Sequence, residues 1–221
     1  MKLALRGLAF LLTGLLVIGL LLFPAAGTLH YPNGWLLIGI LFIPMLLMGI
    51  VMLIKSPELL RKRLQNKETQ AAQKGVVALS GLMFLAGFVL AGLDFRFGWL
   101  VLPKAVSVIA AVIFLAGYAM YAEVLRENAY LSRTVEVQAH QKVIDTGLYG
   151  VVRHPMYAAT LLMFLSMPLV LGSVISFIVM LSYLPIIVKR IRNEEKVLTE
   201  GLQGYKEYKE KVSYRLIPFI W

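Results

Sequence analysis

The chain has 221 residues, of which 59% are hydrophobic and only 15% charged, with a formal net charge of +10. Soluble domains carry about a quarter charged residues, so this composition excludes a soluble enzyme, a disordered chain and a coiled coil; it indicates a polytopic helical membrane protein. The positive charge fits lysine and arginine gathered on the cytoplasmic face of a bilayer better than nucleic-acid binding, for which there is no soluble basic module.

Six apolar stretches follow one another, at about 3–23, 34–54, 76–93, 104–125, 156–168 and 174–188. Each of the first four is long enough to cross a hydrocarbon core of about 30 Å. The last two are shorter, are separated by 168–173, and read as a helical hairpin. The first stretch has traits of a secretory signal, with Lys2 and Arg6 ahead of it and Ala25-Ala26-Gly27 behind it. Its length favours a retained helix.

Basic residues set the expected topology. Lys2 and Arg6 precede the first helix, and Lys55, Arg61, Lys62, Arg63, Lys67 and Lys74 follow the second. Arg126, Arg133, Lys142 and Arg153 follow the fourth, and the tail from Lys189 onward is basic as well. The opposite side has Arg96 and Lys104. This asymmetry predicts cytoplasmic termini and an even number of crossings. Acidic residues are lopsided: only Glu58, Glu68 and Asp94 precede Glu123. Residues 1–125 therefore read as a four-helix scaffold and 126–221 as the region that carries the chemistry, the two forming one structural unit.

Within that second region, Thr134-Val135-Glu136-Val137-Gln138 alternates and suggests a short extended piece. Asp145-Thr146-Gly147 suggests a turn. Residues 194–211 read as a polar amphipathic helix or helix pair. Leu198, Leu202, Tyr205, Tyr208 and Val212 share one face, expected to lie on the bundle or the membrane surface. The fold class is all-α: a transmembrane bundle of five to six helices, the last two a hairpin, with a cytoplasmic amphipathic helical tail.

The chain has no cysteine, which excludes disulfides, thiolate nucleophiles and Cys-type metal sites. Its histidines are His30, His140 and His154, with His30 in a different loop, so no metal site is expected. The strongest local feature runs from Gly147-Leu148-Tyr149-Gly150 to Arg153-His154-Pro155-Met156-Tyr157. Pro155 suits the first turn of a helix. A helix start beside Arg153 attracts a carboxylate or phosphate, although Arg153 and Tyr157 also suit the membrane interface. The second feature is Arg190-Ile191-Arg192-Asn193-Glu194-Glu195, directly after the last apolar stretch. Arg190 and Glu194 are spaced to share a helix face. Ionisable groups beside an apolar segment are costly and often functional. A carboxylate there suits a cationic ligand. Together the two features describe a pocket with a cation-attracting and an anion-attracting end, which suits S-adenosylmethionine but also zwitterionic lipids and amino acids.

These residues resemble the isoprenylcysteine carboxyl methyltransferase family of integral membrane enzymes. The resemblance runs over about 130–221, through Arg153-His154-Pro155-Met156-Tyr157, Glu194-Glu195, Tyr205-Lys206-Glu207-Tyr208 and Tyr214-Arg215-Leu216-Ile217-Pro218. It implies an S-adenosylmethionine site lined by Tyr149, Val152, Arg153, His154 and Tyr157, with Glu194 and Glu195 at the far wall. It implies Arg190 near a lipophilic or lipid-linked acceptor drawn from the bilayer. In the tail, Gly201-Leu202-Gln203-Gly204 and Ser213 depart from the family pattern. An isoprenylcysteine-type carboxylate acceptor would need no base, because it is already ionised, and Arg190 would orient it. A phospholipid amine or small thiol would need one, and Glu195 is the candidate. Two other readings are a membrane NADPH-dependent reductase of sterol-reductase type and a non-catalytic scaffold or transporter. Glu194-Glu195 weighs against the first, and the lack of charges within the first four helices against an ion pathway.

Overall fold

A computed structural model describes residues 2–64, 71–132 and 134–221. Lys67, Glu68 and Arg133, which entered the charge reading, lie outside the described residues. The described residues form nine α-helices: α1 Lys2–Ala26, α2 Pro32–Lys55, α3 Pro57–Arg63, α4 Ala71–Phe97, α5 Lys104–Glu127, α6 Pro155–Leu171, α7 Val174–Met180, α8 Tyr183–Gly201 and α9 Tyr205–Lys211. Helices α1, α2, α4 and α5 are long and apolar enough to cross a membrane, and so is the combined stretch Val174–Gly201. Helix α6 is apolar and shorter. The all-helical bundle of five to six membrane helices is the architecture expected from hydropathy.

The second arm of the hairpin is longer than expected. The apolar run ends near 188, but the helix continues through its charged residues to Gly201. The arm is interrupted at 181–182, between α7 and α8. Pro185 accounts for the break, because it lacks an N–H and its ring crowds the carbonyl four residues back. No strand forms at 134–138.

The apolar core joins both parts of the chain. Leu22 and Phe23 of α1, Leu37 and Phe42 of α2, Phe88 of α4, Phe114 of α5 and Met163 and Val170 of α6 make one buried cluster. The outer faces remain apolar, with Leu16, Ile43, Leu82 and Val112 exposed. That arrangement suits lipid rather than water. At one end of the bundle, Asp94 ties the α4–α5 connection to the hairpin turn. It is buried, accepts the Leu100 N–H at 2.8 Å and accepts the Ser173 hydroxyl. Tyr31 Oη donates to Leu171 O at 2.7 Å at the same end. Exposed Trp35, Phe97 and Trp99 belong to this end and match an interfacial aromatic belt.

The other end carries the polar segments. Helix α3 buries Leu59 and Leu60 against Met52 and Leu125. Lys62 Nζ donates to Gln138 Oε1 at 2.6 Å and Arg63 Nη1 to Ser132 O at 3.3 Å. Leu202, Tyr205, Tyr208 and Val212 share a buried face, which packs on Leu198 of α8 and on Val137 and Val143 of the irregular segment after α5.

Helices α1 and α4 approach closely at Gly92. A Cβ there would lie 2.6 Å from Leu22 O and 2.7 Å from Ala25 Cβ, whereas Gly81 in the same helix meets nothing within 4 Å. Small residues permit such contacts between membrane helices. Alanine otherwise favours helix over glycine by up to about 1 kcal/mol. Gly81→Ala is therefore expected to be neutral or stabilising. Gly92→Ala is expected to destabilise by roughly 1–3 kcal/mol through overpacking. Thermal unfolding of the two variants in detergent checks the difference.

Candidate functional site

The loop before α6 is assembled from short-range turns. Gly147 has φ +51, and residues 147–150 form a single 3-10 turn. Beneath it lies Glu127, whose Oε1 accepts the Thr146 hydroxyl at 2.8 Å. Tyr149 is buried and stitched from two sides: its hydroxyl accepts Asn128 Nδ2 at 2.9 Å, and its carbonyl accepts the Tyr208 hydroxyl at 2.8 Å. Burial pushes the Tyr149 phenol well above its usual range, so it stays protonated. His154 occupies the N-cap position of α6 without a side-chain capping bond, and Pro155 takes the first turn, as the sequence predicts for the proline.

Arg153 and Glu195 form the buried centre of this end, at 6% and 5% exposure. Arg153 Nε donates to Glu195 Oε1 at 2.7 Å, and its Nη1 donates to Val212 O at 2.6 Å and Ser213 O at 2.9 Å. Arg215 Nε donates to the other carboxylate oxygen at 2.9 Å. The backbone follows the same path: Arg153 N–H donates to Tyr214 O and His154 N–H to Arg215 O, both at 2.9 Å. The motif loop, α8 and the tail thus meet on one carboxylate. His154 Nε2 stands 3.4 Å from Glu195 Oε1 without hydrogen-bond geometry.

A second chain of contacts runs toward α4. The Tyr157 hydroxyl donates to Glu194 Oε2 and accepts Arg190 Nε at 2.9 Å. Arg190 Nη1 in turn donates to Gln73 Oε1 at 3.2 Å, and Gln73 is fully buried. The tyrosine therefore stands between the cation and the anion that the sequence spacing places on one helix face. The His154 and Tyr157 rings stack with centroids 5.7 Å apart.

Above these residues opens a cleft. Tyr149, Arg153, His154, Tyr157, Arg190 and Glu194 line it. Val152 and Glu195, named with them from the sequence, are buried and lie outside the lining. The opposite wall went unread in the sequence. It comprises Asn128, Tyr130, Thr134, Val135 and Gln141 from the irregular segment after α5, and Tyr205 and Tyr208 from α9. The alternating 134–138 run signals that wall, since Val135 is buried facing the cleft while Val137 packs under α9. Tyr205 is 3% exposed and its hydroxyl finds no partner among the described residues. Burial first, and then the charges of Glu195 and Glu194, push its phenol up, so it remains a donor. Among the described residues no group of three or more acidic or histidine side chains is placed to hold a metal.

Known proteins share part of this sequence and its fold. Residues 105–204 match the model of the phospholipid methyltransferase family, a span that contains the 147–157 motif and Glu194-Glu195. Among solved structures, the chain shares the fold of a eukaryotic intramembrane Ras methyltransferase, isoprenylcysteine carboxyl methyltransferase. The TM-score is 0.50 at 16% identity, and the match covers 98% of this chain and 85% of that one. The chain is also 30% identical over 91 residues to the Delta(14)-sterol reductase TM7SF2 of Mus musculus. That match takes in 40% of this chain and 22% of the reductase's length. The resemblance read from the motifs thus holds in the fold, and the family match supports a membrane methyltransferase of this type.

The floor of the loop makes a specific prediction. A Cβ on Gly147 would sit 2.4 Å from both Glu127 carboxylate oxygens. Gly147→Ala is expected to lower stability twice over, by about 1–2 kcal/mol for the left-handed backbone and by the crowding. Adding Glu127→Ala restores only the second part. Unfolding midpoints of the native, single-variant and double-variant chains measure both contributions.

Proposed function

We propose that this protein is an integral membrane S-adenosylmethionine-dependent methyltransferase whose site faces the cytoplasm and whose acceptor is lipophilic or lipid-linked. The observation that carries this reading is a mixed-charge cleft at one end of a spanning bundle, with Arg190 and Glu194 on the wall formed by α8 and His154 and Tyr205 beside them. The family match over 105–204 supports the reaction class. The basic residues of this end, including Lys62, Arg63, Lys142, Lys189 and Arg192, support the cytoplasmic orientation.

The donor set fits the cofactor. Glu194 offers a carboxylate to a sulfonium or ammonium, and the buried Tyr205 hydroxyl and His154 Nε2 have no hydrogen-bond partner among the described residues. When bound, S-adenosylmethionine supplies a methyl group open to in-line displacement. The protein's task is to hold the reacting atoms in line and dry. Tyr157 fixes Glu194 and Arg190 together, and Gln73 braces Arg190 from α4. Arg190 then orients an acceptor carboxylate or phosphate. A carboxylate acceptor of isoprenylcysteine type is ionised at neutral pH and needs no base. For a phospholipid amine or a small thiol we assign proton acceptance to Glu194, which lines the cleft. We assign Glu195, with both oxygens held by arginines, the positioning of Arg153.

The partial identity to a sterol reductase favours a second reading, in which a nicotinamide cofactor enters the same cleft. Calorimetry on the purified protein separates the two. S-adenosylhomocysteine is expected to bind and NADPH not to. His154→Ala is expected to weaken the first by at least about tenfold, or about 1.4 kcal/mol, with the fold intact. Binding of NADPH alone would establish the reductase reading. Unchanged affinity in the variant would remove His154 from the site.

A further inference from the structure

After α9 the chain makes two kinds of contact. Its first part is bound to the site, through the carbonyls of Val212, Ser213, Tyr214 and Arg215. Its second part closes on itself. The N–H groups of Arg215, Leu216 and Ile217 converge on Trp221 O at 3.0, 2.8 and 3.1 Å, and the Arg215 guanidinium stacks 5.4 Å from the Trp221 ring. Leu216 is buried against Val76, Ile187 and Ile191, and Trp221 packs on the same cluster. Those partners belong to the site end of the membrane-length stretches of α4 and α8.

The tip of this loop faces outward. Phe219 is 88% exposed and Ile220 77% exposed. Leaving two such side chains in water forfeits roughly 1.5–3 kcal/mol each relative to burial. Phe219 also has φ +65, a left-handed backbone unfavourable to a side chain of this size. A strained turn that presents an aromatic and an isoleucine outward, beside membrane-length helices, suits the bilayer interface better than bulk water. Charge agrees. Lys74 and Lys189 are exposed and stand within two residues of the Val76 and Ile187 contacts, where they complement anionic headgroups.

We propose that the 216–220 loop docks into the bilayer interface at the site end, with Phe219 and Ile220 among the headgroups and upper acyl chains. The tail that holds Arg153 and Glu195 is then fastened at its far end by lipid.

The chain has no cysteine, so a single introduced thiol reports one position. Phe219→Cys and, separately, Ile220→Cys in the full chain are labelled with a nitroxide. Each is reconstituted in vesicles of equal parts phosphatidylcholine and phosphatidylglycerol. Lys206→Cys, on α9, is the aqueous control. Labels at 219 and 220 are expected to be several-fold more accessible to oxygen than to a water-soluble nickel chelate, relative to the control. Labels at both positions that read like the control would overturn the proposal. So would spin–spin broadening at 219 or 220, which would show that a second copy of the chain covers the tip.

Discussion

The Glu195 carboxylate is the constraint on which this end of the molecule depends. A buried carboxylate is tolerated only when its charge is paired and its oxygens are hydrogen-bonded. Arg153 and Arg215 meet both conditions, one on each oxygen. They come from a loop more than forty residues before Glu195 and from a tail twenty residues after it. Bringing them together fixes where the motif loop, α8 and the tail must run. The Nη1 group of Arg153 donates to two tail carbonyls, those of Val212 and Ser213, which ties the tail to the same guanidinium.

From this centre the site grows in two directions. Toward the membrane, Tyr157, Arg190 and Gln73 carry polar contacts into α4, so the scaffold helices help hold a residue of the cleft. Away from it, α9 and the irregular segment after α5 cover the cleft, held by the Tyr208–Tyr149 and Tyr149–Asn128 contacts. The cleft thus draws on helix and loop alike, with Tyr157 on α6, Arg190 and Glu194 on α8, and Tyr149 and Arg153 in the loop before α6. The hidden Asp94 at the other end is structural by the same reasoning, since both of its oxygens are satisfied by Ser173 and the Leu100 N–H.

Much of this was legible in the sequence, because apolar length directly reports membrane helices. The end of α8 was not, because charged residues stop an apolar run without stopping a helix. Arg153, His154, Tyr157, Arg190 and Glu194, which line one cleft, stand in two short motifs that the sequence displays. Glu194 and Glu195 were not separable, although neighbouring helical residues point about 100° apart and only Glu194 reaches the cleft. Gln73 gave no local signal: its role depends on α4 meeting α8. Tyr205 and Tyr208 read as an apolar face, correctly, but a face defines burial and not the partner it packs on. The alternation at 134–138 marks one side of that segment as buried, but which element it faces appears only in three dimensions.

The most direct test of the account is amide hydrogen exchange on the Glu195→Gln chain compared with the native chain. Removing the charge leaves two arginines facing a neutral side chain, across three separate segments. The account predicts that exchange rises together at the Arg153 and His154 amides and throughout 208–216, while the spanning helices α1, α2 and α5 stay protected. Native-like protection at both the motif loop and the tail would contradict it, and would return Glu195 to the role of a chemically acting carboxylate.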